Sequence, residues 1–199
     1  MANSDPVADI ATEVASDLLK ELFGPMVSMG HPIAAAVVNA TKYHMTLIPD
    51  IHTHHGQYTQ APNSTLGVLP VSAEEEKSVH KNIVTVGMKS VISGTGGVAE
   101  AIFGYEFQKE GVTYQLCFYL KHGHHLEAGA ALWRKGEKVH GEDYSKKIHK
   151  AAESLIHTIQ KNRPQTSYSK DGEGASVTVD KIKVSHSSGE MFQFLIEEV

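Results

Sequence analysis

Thirteen histidines is a high number for a chain of 199 residues, and six of them stand in two matching tetrads. The tetrads read His52-Thr53-His54-His55 and His122-Gly123-His124-His125. On an extended segment, a His-x-His pair puts two imidazoles on one face, a usable metal pair. Candidate ligands are His52, His54, His122 and His124, with Asp50 and Glu127 as nearby carboxylates and no thiolate close by. The same clusters suit a pH switch or a headgroup site. An imidazole becomes cationic below about pH 6.5 and would then draw the surface towards phosphate or anionic lipid. The plainest alternative is two solvated polar loop tips, since glycine follows or breaks each tetrad. The residues leave all three readings open; no bound metal and no cofactor is the expectation.

Other chemistry is sparse. The one cysteine, Cys117, sits in an apolar run, which reads as a reduced core thiol and excludes an internal disulfide. Gly94-Thr95-Gly96-Gly97 is not followed by Lys-Ser/Thr, and a strand rather than a helix comes next, so it reads as a bend and not a phosphate loop. No Ser-His-Asp order stands out, and the chain is not expected to be an enzyme. Asn39-Ala-Thr and Asn63-Ser-Thr are glycosylation sequons that matter only on a secretory path. The net charge of −5 is concentrated in the first 30 residues, where five acids face only Lys20. With no basic block elsewhere, nucleic acid is not an expected partner. The start MANSDPVADI lacks a basic and an apolar region of signal-peptide type. A cytoplasmic store, or release by another route, is therefore expected.

The elements that must carry these groups are mostly strands. Residues 5–23 are the exception. Asp5, Asp9, Glu13, Asp17 and Glu21 recur every four residues and share one helical face. Val7, Ile10, Val14, Leu18 and Leu22 fill another, joined by Ala11, Leu19 and Phe23. Asp5-Pro6 starts this helix and Gly24-Pro25 stops it. Packing on the rest of the protein is expected through Val14, Leu18 and Leu22.

Strands are predicted over Ile33–Thr41, Lys81–Ile92, Ala101–Phe107, Val112–Leu120 and within Ala128–His140. Lys109-Glu110-Gly111 marks a hairpin. Residues 56–75 read as a long surface loop. Over 142–161 the period changes, and Tyr144, Ile148, Ala152, Leu155 and Ile159 share one face of a second helix. Ser176–Val184 and Met191–Val199 form a closing hairpin. The sum is one domain over 1–199, mainly β: an antiparallel β-sandwich over 31–199 flanked by an N-terminal amphipathic helix and a late second helix.

That order resembles the actinoporin-like pore-forming cytolysins. HPIAAAVVNAT resembles their first core strand, SVISGTGGVAEAIFGYEF the Gly-rich entry to another, and VTYQLCFYL the strand leading to the lipid-facing loop. ALWRKGEKV with DYSKKIHKAAE resembles the strand, turn and second helix, and VDKIKVSHSSGEMFQFLIEEV the closing hairpin. Fungal fruit-body lectins share the sandwich without the N-terminal helix.

The resemblance implies a chain that is a monomer or weak dimer in solution and docks on a target membrane through its sandwich. It would then form a homo-oligomer and insert residues 5–29 as a cation-permeable pore. Headgroup contacts would fall on His54, His55, Tyr119, His122, His124, His125, Trp133 and Tyr144. Asp9, Glu13, Asp17 and Glu21 would line the pore, while Val7, Ile10, Val14, Leu18, Leu22 and Phe23 would insert. The two tetrads would lie together at one end. Where the family loop is packed with aromatics, this chain has LKHGHHLEAGAALW. The alternative function is a lectin-like or lipid-headgroup-binding sandwich that forms no pore, with a membrane lipid or a surface glycan as partner.

Overall fold

The computed structural model describes residues 6–49, 52–68, 81–92, 96–136, 138–139, 142–143, 167–169, 175–183 and 190–198. The chain begins with helix α1 (Pro6–Phe23), which runs into a 3-10 turn over Gly24–Met26. Proline at the first helical position loses no hydrogen bond, because that N–H has no intrahelical partner. The strands that follow are β1 (Ile33–Asn39), β2 (Met45–Leu47), β3 (His52–His55), β4 (Gln57–Gln60), β5 (Thr65–Leu66), β6 (Ile83–Lys89), β7 (Ala99–Lys109) and β8 (Val112–His122). Then come β9 (Leu126–Arg134), β10 (Lys138–Val139), β11 (Glu142–Asp143), β12 (Ser167–Ser169), β13 (Ala175–Lys183) and β14 (Glu190–Glu198).

Two sheets form the sandwich. The first runs β12-β13-β14-β1-β6-β4, and the second β5-β2-β7-β8-β9 with β3 also paired to β7. β10 and β11 make a separate two-stranded ribbon. Pairings are antiparallel except for β1 with β14, which is parallel, Ile33 opposite Glu190 and Asn39 opposite Ile196. The antiparallel sandwich expected from the sequence is present, with this one parallel pair inside it. β1 and β14 are neighbours in the sheet but far apart in sequence, so no hairpin turn fixes their relative direction. The β7–β8 hairpin turns at Glu110-Gly111, both with positive φ (52° and 80°). Such a two-residue turn matches the natural twist of the strands.

β1 is buried on both faces, which explains its unbroken apolar run. Ile33, Ala35 and Val37 face the space between the sheets, among Phe103, Phe118 and Phe194. Phe118 meets Phe194 across the two sheets at 4.7 Å between ring centroids, and its neighbour Phe103 in the same sheet at 5.3 Å. Ala34, Ala36 and Val38 face the other way and pack under α1 with Ile83 and Met191. Alanines on that side let the helix axis approach closely.

Three further expectations change. Residues 56–75 are not one loop, since β4 and β5 lie within them. β6 ends at Lys89, short of Ile92. Glu142–Asp143, expected to open the second helix, pair with Lys138-Val139 as a strand; the remainder of that helix, Tyr144 included, lies outside the described residues.

Candidate functional site

Strand register brings one end of the sandwich together. Ile33 of β1 lies opposite Met88 of β6. Ala99 lies opposite His122, and His55 opposite Glu100. The starts of β1 and β7 and the ends of β3, β6 and β8 therefore share this end. Both tetrads reach it, β3 and β8 standing two strand spacings apart, about 10 Å.

The structure revises the picture of two loop tips. The first tetrad is strand β3 itself, with a register shift between Thr53 and His55. His55 is exposed, while the side chains of His52 and His54 lie outside the described residues. In the second tetrad, His124 and His125 are exposed in the turn after β8. His122 is different: only 7% exposed, it closes the end of the inter-sheet core. Its Nδ1 lies 2.6 Å from the Pro32 carbonyl oxygen. A carbonyl only accepts, so Nδ1 carries the proton. Burial pushes this imidazole below its ordinary range, the Pro32 bond offsets part of that, and nearby His31 adds to the lowering.

Tyr119 is also buried, and its hydroxyl donates to Glu100 Oε1 at 3.0 Å. Neither Tyr119 nor His122 presents its side chain to a headgroup in this state. Trp133 is in β9, its side chain outside the described residues. Among the described residues, no three His, Cys, Asp or Glu side chains come together to hold a metal ion. By register a row of alternating groups crosses this end of the second sheet: His55, Glu100, Lys121 and Glu127.

Two residues here escaped the sequence reading. Val91 and Ile92 are 68% and 63% exposed, among few large apolar side chains that stand in solvent. Ser90 holds them in a tight turn, its Oγ donating to the Ile92 carbonyl (2.9 Å) and accepting from the Ile92 N–H (3.1 Å). In the sequence they read as the tail of a strand. Their position beyond Lys89 and immediately before SGTGG was the available signal.

The N-terminal helix lies on the outer face of the first sheet. Its fully buried stripe is Ala8, Ala11, Ala15, Leu19 and Phe23. Val14, Leu18 and Leu22, expected to make the contact, are only partly buried along one side of it. Ile10 is likewise half-buried, and the side chain of Val7 lies outside the described residues. Phe23, expected to insert in a membrane, is 1% exposed against the sheet. Asp9, Glu13, Asp17 and Glu21 are all exposed on the opposite face. One polar contact reaches across: Gln193 Nε2 donates to the Thr12 carbonyl at 3.0 Å. Gly87 on β6 leaves room for the end of the helix. A Cβ there would sit 2.5 Å from Thr59 Oγ1 and 3.0 Å from Met26 Sδ. No described helix is long and apolar enough to cross a membrane.

The far end carries an open groove of about 440 Å³ beside the β7–β8 hairpin, lined by Tyr43, His44, Thr46, Glu106, Gln108 and Thr113 among others. Its cation, Lys42, is paired with Glu198 at 3.1 Å. None of the residues nominated from the sequence lines it.

Among solved structures, the chain is similar to one described as the lipid binding protein Nakanori. The TM-score is 0.62 at 9% identity, covering 96% of this chain and 86% of that one. At that identity the likeness establishes a shared fold. No protein-family model matches the chain, and no curated protein sequence matches it.

Proposed function

We propose that this protein binds a lipid membrane with the end of the sandwich bearing Val91, Ile92, His55, His124 and His125. It then releases α1, which inserts with those of other copies as a cation-permeable pore. The observation that carries this reading is the independence of α1. Its contacts form an apolar cluster separate from the inter-sheet core. The helix can leave without opening the two-sheet stack. What release exposes on the sheet is small, chiefly Ala34, Ala36, Val38, Ile83 and Met191. Two large side chains leave with the helix, Leu19 and Phe23, each worth about 2 kcal/mol of burial. A membrane interface can replace that.

Length and charge fit the second state. Eighteen helical residues span about 27 Å, close to the hydrocarbon thickness. The helix is too polar to cross alone, so the reading requires several copies. Their exposed acids would face a water-filled lumen and favour cations. At the docking end, two exposed aliphatic side chains among imidazoles suit an interface with anionic headgroups. The solved structure with this fold is described as a lipid binding protein, which supports a lipid partner.

The test is dye release from anionic vesicles by the native chain and by a variant whose helix is tied to β1 through an engineered disulfide. The tethered protein should still bind the vesicles yet release no dye, and reduction should restore release. Full release from the oxidised protein would rule out insertion of the N-terminal segment. Binding without release from either form would leave a lipid-binding sandwich that makes no pore.

A further inference from the structure

The segment joining α1 to the sandwich is seated by two histidines, neither of which the docking reading uses. After the 3-10 turn, the linker is held at Gly30, whose carbonyl accepts from the Ser90 N–H at 2.8 Å. The next residue, His31, has φ +46°, a left-handed conformation that a non-glycine residue rarely adopts. Its ring meets the edge of the His122 ring at 5.0 Å between centroids, with the planes at 78°. It fits because position 97 is glycine: a Cβ there would lie 2.9 Å from His31 Cδ2. Pro32 follows, its carbonyl bonded to His122 Nδ1, and β1 begins at Ile33. The linker therefore enters the sandwich over an imidazole pair, in a strained conformation that the pair and its surroundings hold in place.

We propose that His31 and His122 form a latch that keeps the linker of α1 seated at neutral pH and opens on acidification. Edge-to-face contact at this distance suits neutral rings. When both carry a proton, two like charges stand side by side, one of them in the closed end of the core. The surroundings add to that. Lys89 follows Met88 on β6, Lys121 precedes His122 on β8, and His124 and His125 follow it. His55 on β3 lies across Glu100 of β7 at the same level. Among the described residues, the acids of this end are Glu100, bonded to Tyr119, Glu127 on β9, and Glu190, the β14 partner of Ile33. Glu100 neighbours Ala99, whose side chain faces the core, so its own points to the outer face.

The direction follows from linkage. The seated His122 binds a proton less readily than a solvated imidazole. The seated state is thus favoured above the ordinary imidazole range and loses that advantage as pH falls through it towards the lowered value. Once the linker lifts, His31 can leave its left-handed conformation and α1 loses its anchor to β1.

The inference rests on the release of α1 proposed above, so its test is made without lipid. Spin labels are placed on Asp17→Cys in the helix and Gln108→Cys in β7, both exposed positions. Cys117 stays unlabelled, because burial pushes its thiol up to about 12. Distances are measured at about pH 7.5 and about pH 5, on either side of the imidazole range. A displaced, long-distance population should rise severalfold on acidification, because a lifted His122 takes up a proton that the seated ring resists. In His31→Asn/His122→Gln, where both rings become neutral amides, it should not rise. His31→Asn alone keeps the buried ring and should move the midpoint to lower pH. A native distance unaffected by pH, a double variant that still responds, or an unmoved midpoint in the single variant would each overturn the latch. Vesicle leakage from a protein whose distance never changes with pH would sink the latch and leave pore formation standing. Opening without leakage would do the reverse.

Discussion

Shortening Leu19 to alanine separates a helix docked on the sandwich from one that is part of its core. Leu19 is fully buried at the α1–sheet contact. Its neighbours there, Ala15, Ala34 and Ala36, are too short to fill the space it would leave. Leu→Ala at such sites costs about 3 kcal/mol. At 1.4 kcal/mol per factor of ten, the equilibrium for lifting the helix should rise about a hundredfold. In water a freed helix of this length is marginal and its amides exchange. Hydrogen exchange at neutral pH should therefore accelerate about a hundredfold along α1, with β7 and β8 unchanged, because the protected unit is local. Leu116→Ala, in the inter-sheet core, should do the opposite: accelerate the whole sandwich and lower its melting temperature. If Leu19→Ala speeds exchange in α1 and in β7–β8 by the same factor, helix and core open together, and the argument for a separable helix is refuted.

Other outcomes follow from the same contacts. Val91→Asp/Ile92→Asp should abolish vesicle binding with no loss of melting temperature, since both side chains stand in solvent; retained binding in a sedimentation assay would move the docking surface elsewhere. Binding to anionic vesicles should strengthen between about pH 7.5 and about pH 5.5 and weaken with salt. Replacing the exposed His55, His124 and His125 with glutamine should flatten that response, as titration of bound fraction against pH would reveal. Gly87→Ala should loosen the end of α1, because the new Cβ would meet Thr59 and Met26; faster exchange at residues 22–29 is the measurement, and native protection there would refute the wedge.

The helix and the alternation of the strands were legible because each depends on local spacing. Proline and glycine punctuate α1, and the Glu110-Gly111 turn announces its hairpin. Longer-range facts were not legible. The parallel pairing of β1 with β14 joins residues some 160 positions apart. The first tetrad reads as polar loop, yet β7 offers it a free edge and it becomes β3. His122 differs from His124 in ending β8 rather than standing in the turn after it, and in its bond to Pro32, which no local pattern reveals. The exposure of Val91 and Ile92 depends on the strand ending at Lys89, and their apolar character argued for its continuation.

The face of α1 that is fully buried is centred to one side of Val14, Leu18 and Leu22, for a reason that bears on function. At 100° per residue, Ala8, Ala11, Ala15, Leu19 and Phe23 lie within an arc of about 120°. A helix that merely packs on a sheet needs about that much. On the same wheel Leu18 and Val14 lie about 20° and about 60° beyond this arc and extend the apolar surface by a stripe that the sheet only half covers. The docked state buries Leu19, Phe23 and three alanines and leaves Val14 and Leu18 partly in water, more apolar surface than packing alone needs. It suits a helix with a second environment, in which Val14 and Leu18 meet lipid while the acids keep to water. Val14→Ser/Leu18→Ser should therefore leave melting and the exchange pattern of α1 close to native, because neither side chain is fully buried. Dye release should fall at least tenfold, two aliphatic side chains being withdrawn from hydrocarbon. Undiminished release from this variant would show that the second stripe never enters a bilayer. An equal loss of docking and release would show it to be packing after all.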